Sequence, residues 1–179
     1  MRFLSGKYKG RTIEGYAVKG TRPTMDRVKE SLFAMIQSKV KESVILDLFA
    51  GTGSLGLEGV SVGASFCYLV DHNPICIQNI SKTIQKCQIE NVKTLKLSYQ
   101  KALDFFVKKQ QKFDIIFLDP PYEENLVNGI VSYIYEKNLL NEKGIIVCEY
   151  EREKVENTCF PIYKEKKYGS KKIKIYINE

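Results

Sequence analysis

The feature that most constrains the fold is a short apolar run that leads directly into a glycine-rich turn. Residues 44–48 are mostly branched and apolar, and the run is too short for a helix. Such a run is typical of a strand that is buried on both faces of a parallel sheet. Gly51, Gly53 and Gly56 follow, and the apolar residues of 53–62 then favour a helix. Strand, glycine turn and helix in this order predict the opening of a Rossmann-type nucleotide site.

The glycine turn also predicts the kind of ligand that binds there. Its spacing fits the fingerprint G-x-G-x-x-G, in which glycines let backbone approach a ligand with no Cβ in the way. Asp71 ends a second predicted strand, where the partner of a ribose hydroxyl is expected. Asp47, inside the first strand, suits a ligand with an ammonium group, or alternatively caps a neighbouring turn. These residues predict an adenosine-containing ligand without saying which one.

Predicted strands and helices alternate along most of the chain. Strands are predicted at 44–49, 66–71, 92–97, 113–118 and 144–149, and helices at 53–62, 100–111 and 124–137. A further helix is predicted after Asn73-Pro74, with apolar residues at helical spacing up to Cys87. This alternation implies a parallel sheet with helices on both faces. Two final strands, near 160–164 and 173–177, predict a closing antiparallel hairpin. At 179 residues we expect one domain, with a basic β-hairpin extension at 1–22 and a Rossmann-like core at 23–179.

The positive charge of the chain is concentrated near its N-terminus. The formal net charge is +7, and residues 1–41 alone hold ten basic and three acidic residues. A basic face of this kind predicts a nucleic-acid partner, with a merely solvated surface as the alternative. The residues predicted to contact phosphates are Lys7, Lys9 and Arg11 at the tip of the hairpin, and Arg22, Arg27 and Lys29 in a helix that Thr24 is expected to cap. Tyr8, among these charges, could stack on a base or pack against the core.

Composition excludes several classes of protein. No stretch of about 18 apolar residues predicts a membrane span, and the first residues lack the apolar core of a signal peptide. The five cysteines are odd in number and without CxxC spacing, which predicts reduced thiols in a cytoplasmic protein. With one histidine, a Cys/His zinc site is not expected. We expect a monomer that requires no metal.

The fourth predicted strand ends in a motif with specific chemistry, Asp119-Pro-Pro-Tyr122. Pro121 holds Pro120 extended, and Pro120 restricts Asp119, so the turn is stiff. It displays a carboxylate, the Pro120 carbonyl and an aromatic ring beside the glycine turn. Two acceptors at fixed separation suit the two hydrogens of a planar amino group, while Tyr122 can stack on the attached base. The alternative is a rigid loop with no further role.

Together these motifs resemble a known class of enzyme. Asp47-x-Phe49-x-Gly51-x-Gly53 with Asp119-Pro-Pro-Tyr122 is similar to the S-adenosylmethionine-dependent N-methyltransferases of exocyclic amines. The block from Arg22-Pro-Thr to Ser-Leu-Phe33, the basic segment before it and the ending Lys167-Tyr-Gly-Ser170 narrow this. They resemble the RsmD-like family, bacterial guanine-N2 methyltransferases of small-subunit (16S) ribosomal RNA. The similarity covers nearly the whole chain.

The resemblance implies a fold and a set of site residues. The implied fold is the class I Rossmann-like methyltransferase fold, with seven strands in the order 3-2-1-4-5-7-6 and strand seven antiparallel. The implied cofactor is S-adenosylmethionine, held by Asp47, Phe49, Gly51, Gly53, Asp71, His72, Ser98 and Tyr99. The implied catalytic residues are Asp119, Pro120 and Tyr122, and Tyr168 is expected among the RNA contacts. Members often carry an aspartate where Ser98 stands, so we expect weaker recognition of the cofactor's adenine.

The sequence therefore predicts methyl transfer to the N2 amine of a guanine in ribosomal RNA, either free or in a small-subunit particle. The alternatives are a DNA adenine-N6 methyltransferase, a nicotinamide oxidoreductase and a non-catalytic RNA-binding or ribosome assembly factor. A DNA enzyme usually needs a target-recognition domain, for which 179 residues leave no room. An oxidoreductase leaves the Asp119 motif unexplained, and an assembly factor would not need it.

Overall fold

The computed structural model describes residues 1–15, 22–121 and 125–179, with the side chains of residues 22–24 left out. The helices are α1 Arg22–Met35, α2 Gln37–Val40, α3 Ser54–Ser61, α4 Pro74–Cys87, α5 Tyr99–Lys108 and α6 Val127–Glu136. The strands are β1 Val44–Asp47, β2 Phe66–Asp71, β3 Val92–Lys96, β4 Phe113–Leu118, β5 Leu140–Tyr150, β6 Ile162–Tyr168 and β7 Lys171–Ile177. No helix within these ranges is both long and apolar enough to cross a membrane.

The strands form one sheet in the order β3-β2-β1-β4-β5-β7-β6. The first five pair in parallel, whereas β7 is antiparallel to both β5 and β6. Alternate residues of β1 enter opposite cores, because successive side chains of a strand point to opposite faces. Ile45 packs on the face covered by α1, α3 and α4, and Leu46 on the face covered by α5 and α6. The predicted fold class and strand order are confirmed.

Local sequence signals predict most ends of the helices and strands correctly and a few incorrectly. Asn73 caps α4 as the sequence predicts, its side chain accepting a hydrogen bond from the Ile75 N–H at 2.9 Å. By contrast α1 begins at Arg22, two residues ahead of the predicted cap at Thr24. The closing strands are longer than predicted, because a tight turn at Gly169 (φ +58°) lets β6 and β7 pair up to Tyr168 and Lys171.

The N-terminal segment is an irregular form of the β-hairpin that the sequence predicts. Among residues 1–15 the two arms share one antiparallel bridge, Arg2 with Thr12, and form no strands. Backbone hydrogen bonds from Phe3 to Arg11 and from Ile13 to Met1 also join the arms. Glu58 of α3 holds the segment as well, since it accepts from the N–H groups of Leu4 and Ser5. Tyr8 is 5% exposed and lies in the core next to Phe3, so it packs rather than presenting its ring to a ligand.

Candidate active site

A cavity of about 520 Å³ opens at the carboxyl ends of the central strands. This is the edge where open α/β sheets bind ligands, because the connections to the helices diverge there. Its lining includes the predicted site residues Phe49, Gly51, Asp71, His72, Ser98, Tyr99, Asp119 and Pro120. We call it the first cavity.

A second cavity of about 290 Å³ lies between α1 and the same edge of the sheet. Met25, Val28 and Leu32 of α1 give it an apolar wall. Its charged lining residues are Lys29, Asp47, Asp119, Glu149 and Lys171. Phe49, Gly51 and Asp119 line both cavities, so the two spaces meet at the glycine turn and at the end of β4.

Asp71 and Ser98 anchor the far side of the first cavity. Asp71 accepts hydrogen bonds from the N–H groups of Gly51 (2.8 Å) and Asn73 (2.9 Å), one on each carboxylate oxygen. A carboxylate oxygen can accept more than one hydrogen bond, so Asp71 keeps capacity for hydroxyl donors of a ligand. Ser98 caps α5 by accepting from the Lys101 N–H at 3.3 Å. Tyr99 packs on Phe49 with ring centroids 5.4 Å apart and closes this wall.

Asp47 is buried, and it connects β1 to the helix behind the glycine turn. One carboxylate oxygen accepts the N–H of Gly56 at 2.9 Å. Burial raises the pKa of Asp47 to about 7, with the Gly56 hydrogen bond opposing this and the charges of Asp71 and Glu149 adding to it. The alternative role of Asp47, that of capping a neighbouring turn, is therefore seen as the hydrogen bond from Gly56. The proposed ammonium contact stays a prediction, and a cationic partner would relieve the cost of ionising Asp47 here.

Asp119 belongs to a cluster of charged groups that spans three strands. Burial raises the pKa of Asp119 well above its usual range, and the neighbouring Glu149 charge adds to this shift. The Lys171 charge opposes the shift, while a hydrogen bond with Glu149 favours the protonated acid. Lys171 Nζ also lies 3.0 Å from a carboxylate oxygen of Glu149. Glu149 therefore holds the Asp119 carboxyl group in place where the two cavities meet, and its burial and the charges of Glu149 and Lys171 set its pKa.

The prediction that Lys29 contacts RNA is wrong, because its side chain is buried. Its side chain is 4% exposed, and Nζ lies 3.0 Å from a carboxylate oxygen of Glu58, which is 1% exposed. Nζ also donates to the Arg2 carbonyl and to Ser54 Oγ, both at 3.0 Å. The ammonium group thus joins α1 to α3 and to the N-terminal segment. A phosphate would have to displace these partners.

The other predicted RNA contacts fall in separate places. Lys7, Lys9 and Arg11 are exposed, but they lie at the end of α3 farthest from both cavities, where the Lys7 N–H donates to the Ser61 carbonyl. Arg27 is exposed on α1. Tyr168 bonds to the Ser31 hydroxyl and its ring lies under Lys166, so it has an intramolecular role that the sequence did not reveal.

Two predicted residues lie outside what the structure describes. These are Tyr122, which follows the described part of the Asp119 motif, and the side chain of Arg22. Pro120 is buried and Pro121 is exposed, and both line the first cavity. The stacking role of Tyr122 and the phosphate contact of Arg22 remain predictions.

Glu58, Glu149 and Lys171 were missed by reasoning from the sequence. Two of them carried a readable signal. Glu58 is the one charged residue in the small and apolar run of α3. Glu149 follows an apolar run near the end of β5, at the edge of the sheet that binds ligands. Lys171 gave no signal, because its position beside Glu149 depends on the pairing of β5 with β7.

Comparison with known proteins decides the family. A family model described as "Conserved hypothetical protein 95" matches residues 1–177. The protein named Ribosomal RNA small subunit methyltransferase D in Haemophilus influenzae is 33% identical over 184 residues, covering 99% of this chain and 94% of that protein. The chain belongs to the RsmD-like family. This confirms the resemblance that the sequence motifs indicated.

Other relatives of this RsmD-like chain agree in sequence and in fold. YlbH of Bacillus subtilis, by its name a candidate rRNA methyltransferase, is 38% identical over 86% of this chain and 84% of its own length. The solved structure of Escherichia coli YhhF superposes with a TM-score of 0.85 at 28% identity, covering 100% of this chain and 98% of that one. An RNA methyltransferase of Salinibacter ruber, solved with S-adenosyl-L-homocysteine, shares the fold at a TM-score of 0.63 and 12% identity, covering 92% and 94%.

Proposed function

We propose that this RsmD-like chain transfers a methyl group from S-adenosylmethionine to the exocyclic N2 amine of a guanine in small-subunit ribosomal RNA. The observation that carries the proposal is the position of Asp119, where a cavity beside the glycine turn meets a cavity beside α1. The names of the relatives support ribosomal RNA as the substrate. The finer assignment, to the N2 amine of guanine, comes from the family resemblance alone.

The residues of the first cavity fit S-adenosylmethionine. Asp71 retains acceptor capacity for the two ribose hydroxyls. Phe49 and Tyr99 offer aromatic surface for the adenine, and Ser98 offers a hydroxyl. The methionine end would reach Gly51 and Asp47, where its ammonium group meets a buried carboxylate. When bound, the cofactor supplies an electrophilic methyl group on a sulfonium.

The chain's own contribution is to position and polarise the target amine. The lone pair of a guanine amine is delocalised into the ring, which makes the nitrogen a poor nucleophile. The Asp119 carboxylate and the Pro120 carbonyl would accept its two hydrogens and restore the lone pair for attack. The amine would gain the methyl group that the cofactor supplies, and its proton would pass to the Asp119 carboxylate, whose hydrogen bond with Glu149 can hold it. Positioning of this kind accounts for much of the rate of such reactions.

The target base must leave its stack to reach Asp119. The apolar wall of Met25, Val28 and Leu32 gives the second cavity a surface against which a planar base can pack. Unpaired or flipped nucleotides are the substrates that such a cavity admits. Residues 1–179 would act as one methyltransferase domain, with its substrate as free RNA or as an assembled particle.

The glycine turn gives a test of the cofactor site. Gly51 has φ +56°, and a Cβ there would meet nothing within 4 Å, so a side chain would extend into the space where the two cavities meet. A Cβ at Gly53 would instead approach Leu57 at 3.1 Å and Ile80 at 3.2 Å, inside the protein. We expect Gly51→Val to weaken S-adenosylmethionine binding roughly tenfold or more, a loss of about 1.4 kcal/mol or greater.

Gly169→Val is the matched control for this variant, measured by the same calorimetric titration. Gly169 has φ +58°, and a Cβ there also meets nothing within 4 Å, so both substitutions place valine at a similar positive φ in open space. The control should lose similar stability and bind the cofactor normally. Equal affinities for the two variants would show that Gly51 does not border the cofactor.

The substrate class is tested by methyl labelling. The protein is incubated with methyl-labelled S-adenosylmethionine and, separately, with small-subunit particles, deproteinised small-subunit RNA, large-subunit RNA and duplex DNA. We expect label in small-subunit RNA, presented either free or in the particle. Label confined to DNA, or absent from every nucleic acid, would contradict the proposal.

A further inference from the structure

A second concentration of basic residues lies in the hairpin of β6 and β7. Residues 162–174 hold six lysines and one glutamate, although the chain beyond residue 41 is neutral as a whole. The net charge of the chain beyond residue 41 does not reveal this basic hairpin, because acidic residues elsewhere in that part of the chain cancel its charge. Its position relative to the cavities decides what it can bind.

One face of β6 carries Lys164, Lys166 and Tyr168, because alternate residues of a strand share a face. This face packs along α1. Lys164 Nζ donates to the Met35 carbonyl at 2.7 Å, and Lys166 Nζ donates to the Ser31 hydroxyl at 3.2 Å. These contacts order the amines along α1, from its C-terminal end towards its middle.

The row of amines leads to the second cavity. Met25, Val28, Lys29 and Leu32 of α1 line that cavity. Lys171, which follows the turn at the end of β6, lines it as well. Lys39 of α2 extends the row at its other end, since its amine lies 5.6 Å from the Tyr163 ring and that of Lys164 lies 5.0 Å from it. We call Lys39, Lys164 and Lys166 the lysine row.

The lysine row is built to present charge rather than aromatic surface. Lys166 lies over the Tyr168 ring at 5.2 Å, so this ring and that of Tyr163 are already covered by ammonium groups. Among the residues that the structure describes, no carboxylate lies within ion-pair distance of Lys164 or Lys166. Glu165 is on the opposite face, where its carboxylate lies 3.9 Å from Lys174. Fixed and uncompensated ammonium groups suit phosphates.

The N-terminal basic tip is much farther from the chemistry. Both α3 and α4 begin beside the cavities, and the tip lies at their other ends, where Arg11 Nη1 donates to the Cys87 carbonyl at 3.4 Å. The eight residues of α3 span about 12 Å and the fourteen of α4 about 20 Å. Lys166 and Lys164, which contact Ser31 and Met35 of α1, therefore lie nearer to the second cavity than the tip does.

We propose that the lysine row binds the phosphate backbone of the single-stranded RNA that flanks the target nucleotide. The inference rests on the proposed function, since it takes the second cavity as the entrance for the base. It assigns the local, orienting phosphate contacts to Lys39, Lys164 and Lys166. It leaves the exposed tip at Lys7, Lys9 and Arg11 without a contact to this stretch of RNA.

The test compares two double variants of equal charge. Lys164→Gln with Lys166→Gln keeps hydrogen-bonding side chains on the row and removes two charges, while Lys7→Gln with Lys9→Gln does the same at the tip. Binding of small-subunit RNA is measured as a function of salt. Each phosphate contact on a single strand contributes about 0.7 to the slope of log affinity against log salt. We expect the row variant to reduce this slope by about 1.4 and the tip variant to leave it unchanged.

The outcomes separate this inference from the proposed function. An unchanged slope in the row variant, with or without a change in the tip variant, overturns the lysine row even if the wild-type protein methylates RNA. A reduced slope in the row variant alone supports it. If the wild type then methylates no RNA, the proposed function fails while the phosphate contact stands.

Discussion

Asp119→Asn is expected to slow single-turnover methyl transfer roughly 100-fold or more, the range seen when one preorganised electrostatic contact is removed. The amide keeps the size of the carboxyl group and can still accept through its oxygen. It lacks the charge that strengthens the bond, and its amino half can face the target amine and repel it. Cofactor affinity should be nearly unchanged, because the cofactor contacts are assigned to Asp47, Asp71 and the glycine turn.

The pH dependence gives this variant a second readout. Burial and the Glu149 charge raise the pKa of Asp119, so the acid loses its proton only as the pH rises above the usual range of a carboxyl group. The wild-type rate should therefore rise with pH, and the Asp119→Asn rate should not follow that rise. Asp119→Ala should be at least as slow. Near-normal methylation by the alanine variant, with normal cofactor titration, would show that Asp119 has only a structural role.

Lys29→Met is expected to lower the free energy of unfolding more than the other proposed substitutions do. The change leaves the Glu58 carboxylate buried without its ion pair, and breaking a buried pair from one side costs about 3–5 kcal/mol. For a chain of this size, that corresponds to a fall in Tm of roughly 6–20 °C. The Leu4 and Ser5 N–H groups still donate to Glu58, which favours the lower end of this range.

Arg27→Met is the matched control, since Arg27 is exposed on the same helix. Its Tm should change little, because surface substitutions usually stay within about 0.5 kcal/mol. Thermal unfolding of both variants decides between a buried structural lysine and the phosphate contact that the sequence suggested. A Lys29→Met protein as stable as Arg27→Met, but weaker in RNA binding, would restore the original hypothesis.

The fold was predictable because its signals are local. The apolar run before Gly51, the capping pair Asn73-Pro74 and the stiff Asp119-Pro120 turn each show their geometry within a few residues. The parallel order of the sheet then follows from the alternation of strands and helices and from the family resemblance. The same local signals brought Asp71 and Asp119 to one edge of the sheet.

The parts that were not predictable depend on contacts between distant segments. Lys29 looks like a surface cation within its own helix, and only the docking of α3 shows that Glu58 meets it. The sequence does not distinguish Lys171 from the other five lysines of its hairpin. Only the antiparallel pairing of β7 with β5 places it beside Glu149. The basic tip was expected near the substrate because its charge could be read from the sequence. The sequence did not show that the tip lies at the end of α3 away from the cavities.

The central claim is that this chain methylates the N2 amine of guanine, and nucleoside analysis of its product tests this most directly. Small-subunit RNA is methylated under single-turnover conditions, digested to nucleosides and separated against standards, with the Asp119→Ala protein as the matched control. The account predicts labelled N2-methylguanosine from the wild-type protein and almost none from the variant. Labelled N6-methyladenosine, or N2-methylguanosine in equal amounts from both proteins, would contradict it.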